Sequence, residues 1–141
     1  MPAFTGAFAS LNYSYELQDP GIHDVGYQIA IQQDGIVYTP YNPEVQDAVD
    51  TRKTWKTAPN PYFLTGLTAS QFCAINTTSD CSSHPDFGPG TTTVFGYAVE
   101  NSFIGTGSGT YESGIDNWCV VLVGAVGTGS SGHPGCGGVT N

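Results

Sequence analysis

The most reactive side chains in this 141-residue chain belong to four cysteines, Cys73, Cys81, Cys119 and Cys136. They lack the C-x-x-C doublets of a zinc site or a redox helix, and their even number fits disulfide chemistry. Three pairings exist. Pairing of nearest neighbours, Cys73 with Cys81 and Cys119 with Cys136, closes two short loops and is the favoured one; the bland alternative is four reduced, buried thiols. A chain rich in Gly, Ser, Thr, Tyr and Asn with only three bases favours oxidation. An extracellular or cell-surface location follows.

Other constellations carry less chemistry. His23, His84 and His133 stand in three separate loops without metal-ligand spacing. Glu112 and Asp116 could share a strand face, but at about 3.3 Å per residue they sit about 13 Å apart. Paired glycosidase carboxylates work at shorter range. No G-x-S-x-G elbow occurs. Gly127-Thr-Gly-Ser-Ser-Gly132 spells G-x-G-x-x-G, but the chain runs only nine residues further, too short for the helix and acid that a dinucleotide site needs. The expectation is a protein that is not an enzyme, a hydrolase being the weakest of the functional readings.

Charge narrows the partners. Twelve acids against three bases give a formal net charge of −9. Phosphate-neutralising cations are too few for nucleic acid, and no apolar run reaches the length of a membrane span. The three bases cluster in Thr51-Arg-Lys-Thr-Trp-Lys56. Arg52, Lys53 and Lys56 form one cationic spot suited to contact with the acidic surface of an identical copy, or to a local ion-pair cluster with Asp47 and Asp50. Trp55, Tyr38, Tyr41 and Tyr62 could offer flat rings for sugar stacking, with core packing the expected use of at least half. Asn12-Tyr-Ser and Asn76-Thr-Thr are glycosylation sequons that matter only in a glycosylating host. Met1-Pro-Ala-Phe-Thr is not the opening of a secretory leader.

The elements that must position these residues are strands. Leu11, Tyr13, Tyr15 and Leu17 alternate with Asn12, Ser14 and Glu16, as a half-buried strand requires. Val25, Tyr27, Ile29 and Ile31 repeat the pattern, and Asp34-Gly35 marks a hairpin before Ile36-Val-Tyr38. Further strands are expected over 51–57, 62–64, 91–100 and 115–126, the last the most apolar, unbroken over Val120–Val126 and central to a sheet or covered on both faces. Thr68-Ala-Ser-Gln-Phe72 opens with a Thr cap and predicts one short helix. Residues 39–50 read as loop with at most one helical turn. About seven strands with frequent turns predict an all-β, two-sheet antiparallel jelly-roll sandwich over 1–126. A Gly-rich tail over 127–141 would be pinned by the disulfide at Cys136.

Ser10-Leu-Asn-Tyr-Ser-Tyr15, Ile29-Ala-Ile-Gln-Gln-Asp-Gly-Ile36, Trp55, Leu64-Thr-Gly-Leu-Thr-Ala-Ser-Gln-Phe72, Pro85-Asp-Phe, Thr93-Val-Phe-Gly-Tyr97, Asn101-Ser and Ser113-Gly-Ile-Asp-Asn-Trp118 occur in that order. Together, over residues 8–123, they resemble the concanavalin-like (laminin-G-like) jelly-roll domains of bacterial secreted and surface proteins. The resemblance implies surface attachment, glycan contact or assembly rather than catalysis. It also implies that Asp116 resembles an aspartate that often holds a structural calcium, otherwise a backbone hydrogen-bonder; no other cofactor is expected. Two features depart from the family: the cysteines, and an upstream stretch of only ten residues before Leu11. Unless residues 1–9 or the tail fill the opening strand's place, one sheet edge stays open. The resulting expectation is a structural protein that self-associates through strand or edge exchange, as a fibre or surface-layer subunit. The alternative is a monomeric carbohydrate-binding module.

Overall fold

The computed structural model describes residues 2–19, 25–40, 54–56, 62–75, 81–101, 114–130 and 139–140, with side chains over 2–15, 29–40, 65–75, 81–98 and 118–130. The described residues form eleven strands: β1 (Ala3–Ala7), β2 (Ser10–Asp19), β3 (Val25–Gln33), β4 (Ile36–Pro40), β5 (Thr54–Lys56), β6 (Tyr62–Leu67), β7 (Phe72–Ala74), β8 (Thr92–Asn101), β9 (Gly114–Val123), β10 (Val126–Gly129) and β11 (Val139–Thr140). They form a six-stranded sheet, β10-β1-β8-β3-β4-β7, and a five-stranded sheet, β11-β9-β2-β5, with β6 also on β2. All pairings are antiparallel except β11 on β9. The protein is an all-β two-sheet sandwich. Its only helical element among the described residues is a 3-10 turn, Ala69–Gln71.

Alternation builds the core. Leu11, Tyr13 and Tyr15 of β2 are buried, as are Val120 and Leu122 of β9. From the facing sheet come Phe4, Ile29, Ile31, Tyr38, Phe72 and Phe95. The hairpin between β3 and β4 turns at Asp34 (φ 50°) and Gly35 (φ 81°), both in the left-handed region that a two-residue primed turn requires. The expected short helix is the single 3-10 turn, opened by Thr68, whose N–H donates to Gln71 Oε1 at 2.9 Å.

The stretch 115–126, expected as a single strand, is not one. β9 ends at Val123, Gly124 turns the chain at φ 67°, and β10 continues in the other sheet. Beside this crossing the chain makes a second one, between β1 and β2. There Ala9 N–H donates to Val123 O at 2.9 Å, and a Cβ on Gly124 would lie 3.6 Å from that of Ala9. The two crossings run together, so β1–β2 and β9–β10 form one antiparallel ribbon folded over the corner of the sandwich. Residues 3–7 therefore lie between β8 and β10 in the six-stranded sheet. The stretch after Gly127, read as tail, begins as β10, and 139–140 form β11.

Candidate functional site: the outer edge of β10

Among the described residues β10 pairs with β1 alone, in the register Phe4↔Gly129, Thr5↔Thr128, Gly6↔Gly127 and Ala7↔Val126. Ser130 N–H donates to Ala3 O at 2.8 Å, which fixes the phase of the ladder. By the antiparallel alternation, residues 126, 128 and 130 bond inward to β1, and the backbone groups of Gly127 and Gly129 face outward. Pro2 O accepts from Phe95 N–H and Gly6 N–H donates to Thr91 O, so the even residues of β1 serve β8. The odd ones are left for β10.

All four residues of β10 are exposed, Val126 by 76%. The strand Val126-Gly-Thr-Gly129 holds no charge, no lysine and no proline, the devices that usually blunt an edge. Glycine is required on the inner side. A Cβ on Gly127 would strike Thr5 O and lie 2.7 Å from Gly6 Cα and 2.9 Å from Phe4 Cζ. The opposite edge of this sheet is dressed differently. All three residues of β7 are buried. Its Cys73 is bridged to Cys81, and Phe72 O accepts from His84 Nδ1–H at 2.7 Å, so the chain from Cys81 covers that edge.

The Cys73–Cys81 bridge has the nearest-neighbour pairing, with Cα atoms 5.0 Å apart. Cys119 is also disulfide-bonded, and Cys136 lies outside the described residues. Other expected site residues are scattered. Tyr38 is 6% exposed, opposite Ile31 and Ala74, so it is a core residue and cannot present a ring to a surface glycan. Trp55 lies on β5 opposite Gln18, and Tyr62 on β6 opposite Tyr15. Both strands pair along the same side of β2, which brings these two positions to one sheet edge. Lys56 is opposite Leu17, whereas Arg52, Lys53 and Tyr41 lie outside the described residues. Asp116 is paired in register with Glu16, beside an irregularity in the β2–β9 ladder. Asn12 Oδ1 accepts from Gly66 N–H at 2.9 Å, and Asn76 lies outside the described residues.

Sequence reasoning missed β10 as an edge, because its partner β1 is more than a hundred residues away in the chain. It also missed the aromatic end of the core. Tyr97 is on the inward face of β8, yet 44% exposed, in edge contact with Trp118 across the sandwich at 6.4 Å. Beside them Tyr13 is buried with its hydroxyl unpartnered, and burial pushes that hydroxyl's pKa well above the usual tyrosine value. No helix among the described residues is long and apolar enough to cross a membrane. The chain matches no protein-family model, no curated protein and no solved structure.

Proposed function

We propose that this is a non-catalytic, extracellular structural or surface protein that associates with copies of itself along the outer edge of β10. The observation that carries the reading is that edge: four exposed, uncharged residues with outward backbone groups at two glycines. Such an edge accepts a further strand by main-chain hydrogen bonding. A second β10 related by a two-fold axis supplies the complementary groups and continues the six-stranded sheet into its partner. The disulfide is compatible with an oxidising, extracellular setting. The expected likeness to concanavalin-like surface domains belongs to the same reading.

A four-residue contact buries little area, so the pair forms at high local concentration, as on a crowded surface. Extension to a fibre requires a second contact, for which the cationic spot of Arg52, Lys53 and Lys56 is the candidate. Light scattering across a concentration series tests the first contact. Mass should rise with concentration in the wild type and stay monomeric in Val126→Lys/Thr128→Lys, which puts like charges on the edge. A wild type that stays monomeric at the highest concentration, or a double variant that associates equally well, removes the reading. The second reading, a glycan-binding module, draws on the convergence of Trp55 and Tyr62 on one sheet edge. Glycan binding lost on Trp55→Ala is its test, and a structural calcium at Asp116 would be seen as calcium-dependent thermal stability.

A further inference from the structure

We propose that on reduction of the Cys73–Cys81 bridge, Cys73 Sγ, Cys81 Sγ and His84 form a three-ligand site for a thiophilic divalent cation such as zinc, so that metal and disulfide compete for the same sulfurs. The donor atoms of the three side chains already lie within 4.8 Å of one another. Cys81 Sγ is 3.8 Å from His84 Nδ1. With Zn–S of about 2.3 Å and Zn–N of about 2.0–2.1 Å, the S···N edge of a zinc tetrahedron is about 3.6 Å. That edge therefore exists before any metal arrives, and opening the bridge lets the second sulfur move out to the remaining one.

The three ligands start from defined positions in the bridged protein. Cys73 is buried on β7, in register with Thr39 of β4. His84 is held at Phe72 O of the same strand. Cys81 is held at φ 39°, a conformation unfavourable for a residue with a side chain and kept only where its surroundings impose it. Two thiolates and one imidazole make a soft donor set that selects zinc-like ions over calcium or magnesium. A fourth ligand, such as water, would complete the tetrahedron.

The chemistry balances with a small thiol as reductant. Two thiol molecules open the bridge by exchange, giving their own disulfide and two cysteine thiols. Metal binding then releases two protons as both sulfurs become thiolates. For ligation through Nδ1, the proton that Nδ1 now donates to the Phe72 carbonyl moves to Nε2, and that hydrogen bond is given up for the metal. Oxidation by a small disulfide runs the sequence backwards and expels the cation.

The test uses the full chain reduced by a phosphine, freed of metal, and titrated with Co2+ without oxygen. A tetrahedral thiolate–cobalt spectrum at one equivalent is expected, absent before reduction and displaced by Zn2+. Cys119→Ser/Cys136→Ser should keep the spectrum, and Cys73→Ser/Cys81→Ser should lose it. His84→Ala should weaken binding about ten-fold or more, since loss of an outer-shell partner already costs that much. An octahedral cobalt spectrum, signal that follows Cys119 and Cys136, or unchanged affinity in His84→Ala overturns the proposal. So does reduced wild type that has lost its β-sheet circular dichroism, because the triad then has no frame.

Discussion

Gly127→Ala asks whether β1 and β10 lie as close as the folded ribbon requires. Gly127 does not occupy the left-handed region, so alanine fits its backbone, and in an ordinary edge strand the change would stabilise by about 0.5–1 kcal/mol. Here the added methyl has no room. It meets Thr5 O, Gly6 Cα at 2.7 Å and Phe4 Cζ at 2.9 Å. Two of these three are backbone atoms of a strand held on its other side by β8, so β1 cannot retreat and β10 must lift. Lifting breaks one or two rungs and uncovers part of the Phe4 ring, which is 2% exposed. At about 1 kcal/mol per hydrogen bond and about 25 cal/mol per Å2 of apolar surface, the loss is about 2–3 kcal/mol. The sign, rather than the size, separates the two cases. Urea unfolding of wild type, Gly127→Ala and the exposed-site control Thr128→Ala measures it, with the slope m compared to confirm that one transition is followed. Gly127→Ala as stable as the wild type, or more so, refutes the close apposition and with it the placement of β10.

Three further outcomes are expected. Gln33 is buried and makes three bonds, Nε2 to Asp86 O and to Thr93 Oγ1, each at 2.7 Å, and Oε1 from Asp86 N–H at 2.8 Å. Gln33→Leu strands these partners and should lower stability by about 2–4 kcal/mol in chemical denaturation. Replacing Cys73 and Cys81 together by alanine frees a loop of sequence separation 8, which by chain entropy costs about 2.5 kcal/mol. Thermal unfolding should show that loss, and none appears if the bridge does not form. Tyr13→Phe removes an unpartnered buried hydroxyl and should leave stability at pH 8 unchanged or raise it by about 1 kcal/mol. Burial holds the folded hydroxyl protonated, whereas the unfolded one ionises above about pH 10. Wild-type stability should therefore fall by about 1.4 kcal/mol per pH unit above that point, and Tyr13→Phe should lack this component.

Local patterns reached the strands and stopped at the corners. Leu11, Tyr13 and Tyr15 declare an inward face because side chains alternate, and all three are buried. Asp34-Gly35 declares a hairpin because both residues tolerate positive φ. The run 115–126 misleads for a physical reason. Both sheets of a sandwich bury apolar residues, so a strand that changes sheets keeps its composition, and only Gly124 marks the bend. Tyr97 follows the inward phase of Thr93 and Phe95 yet remains 44% exposed, since alternation fixes a face and not the depth of cover over it. The pairing of β10 with β1 depends on residues from the two ends of the chain, and nothing local encodes it. Its trace is compositional: glycines at 6, 127 and 129, where the two backbones meet.

For the proposed association of copies, the folded ribbon makes one of two routes cheaper. Strand exchange would withdraw β1, but β1 lies between β8 and β10, so its departure breaks two ladders, including the one that holds β10 in its sheet. It also exposes Phe4, which packs edge-on to Phe8 at 6.2 Å in the aromatic group that includes Phe87 and Phe95. Addition at the outer edge of β10 breaks nothing, because the groups it uses face outward already. Withdrawal needs partial unfolding and would make association slow and scarcely reversible, whereas edge addition is fast and reversed by dilution. A concentrated sample diluted rapidly should therefore return to monomer within the dead time of a scattering measurement. Persistence of the associated form for minutes or longer would show that strands, rather than edges, are exchanged.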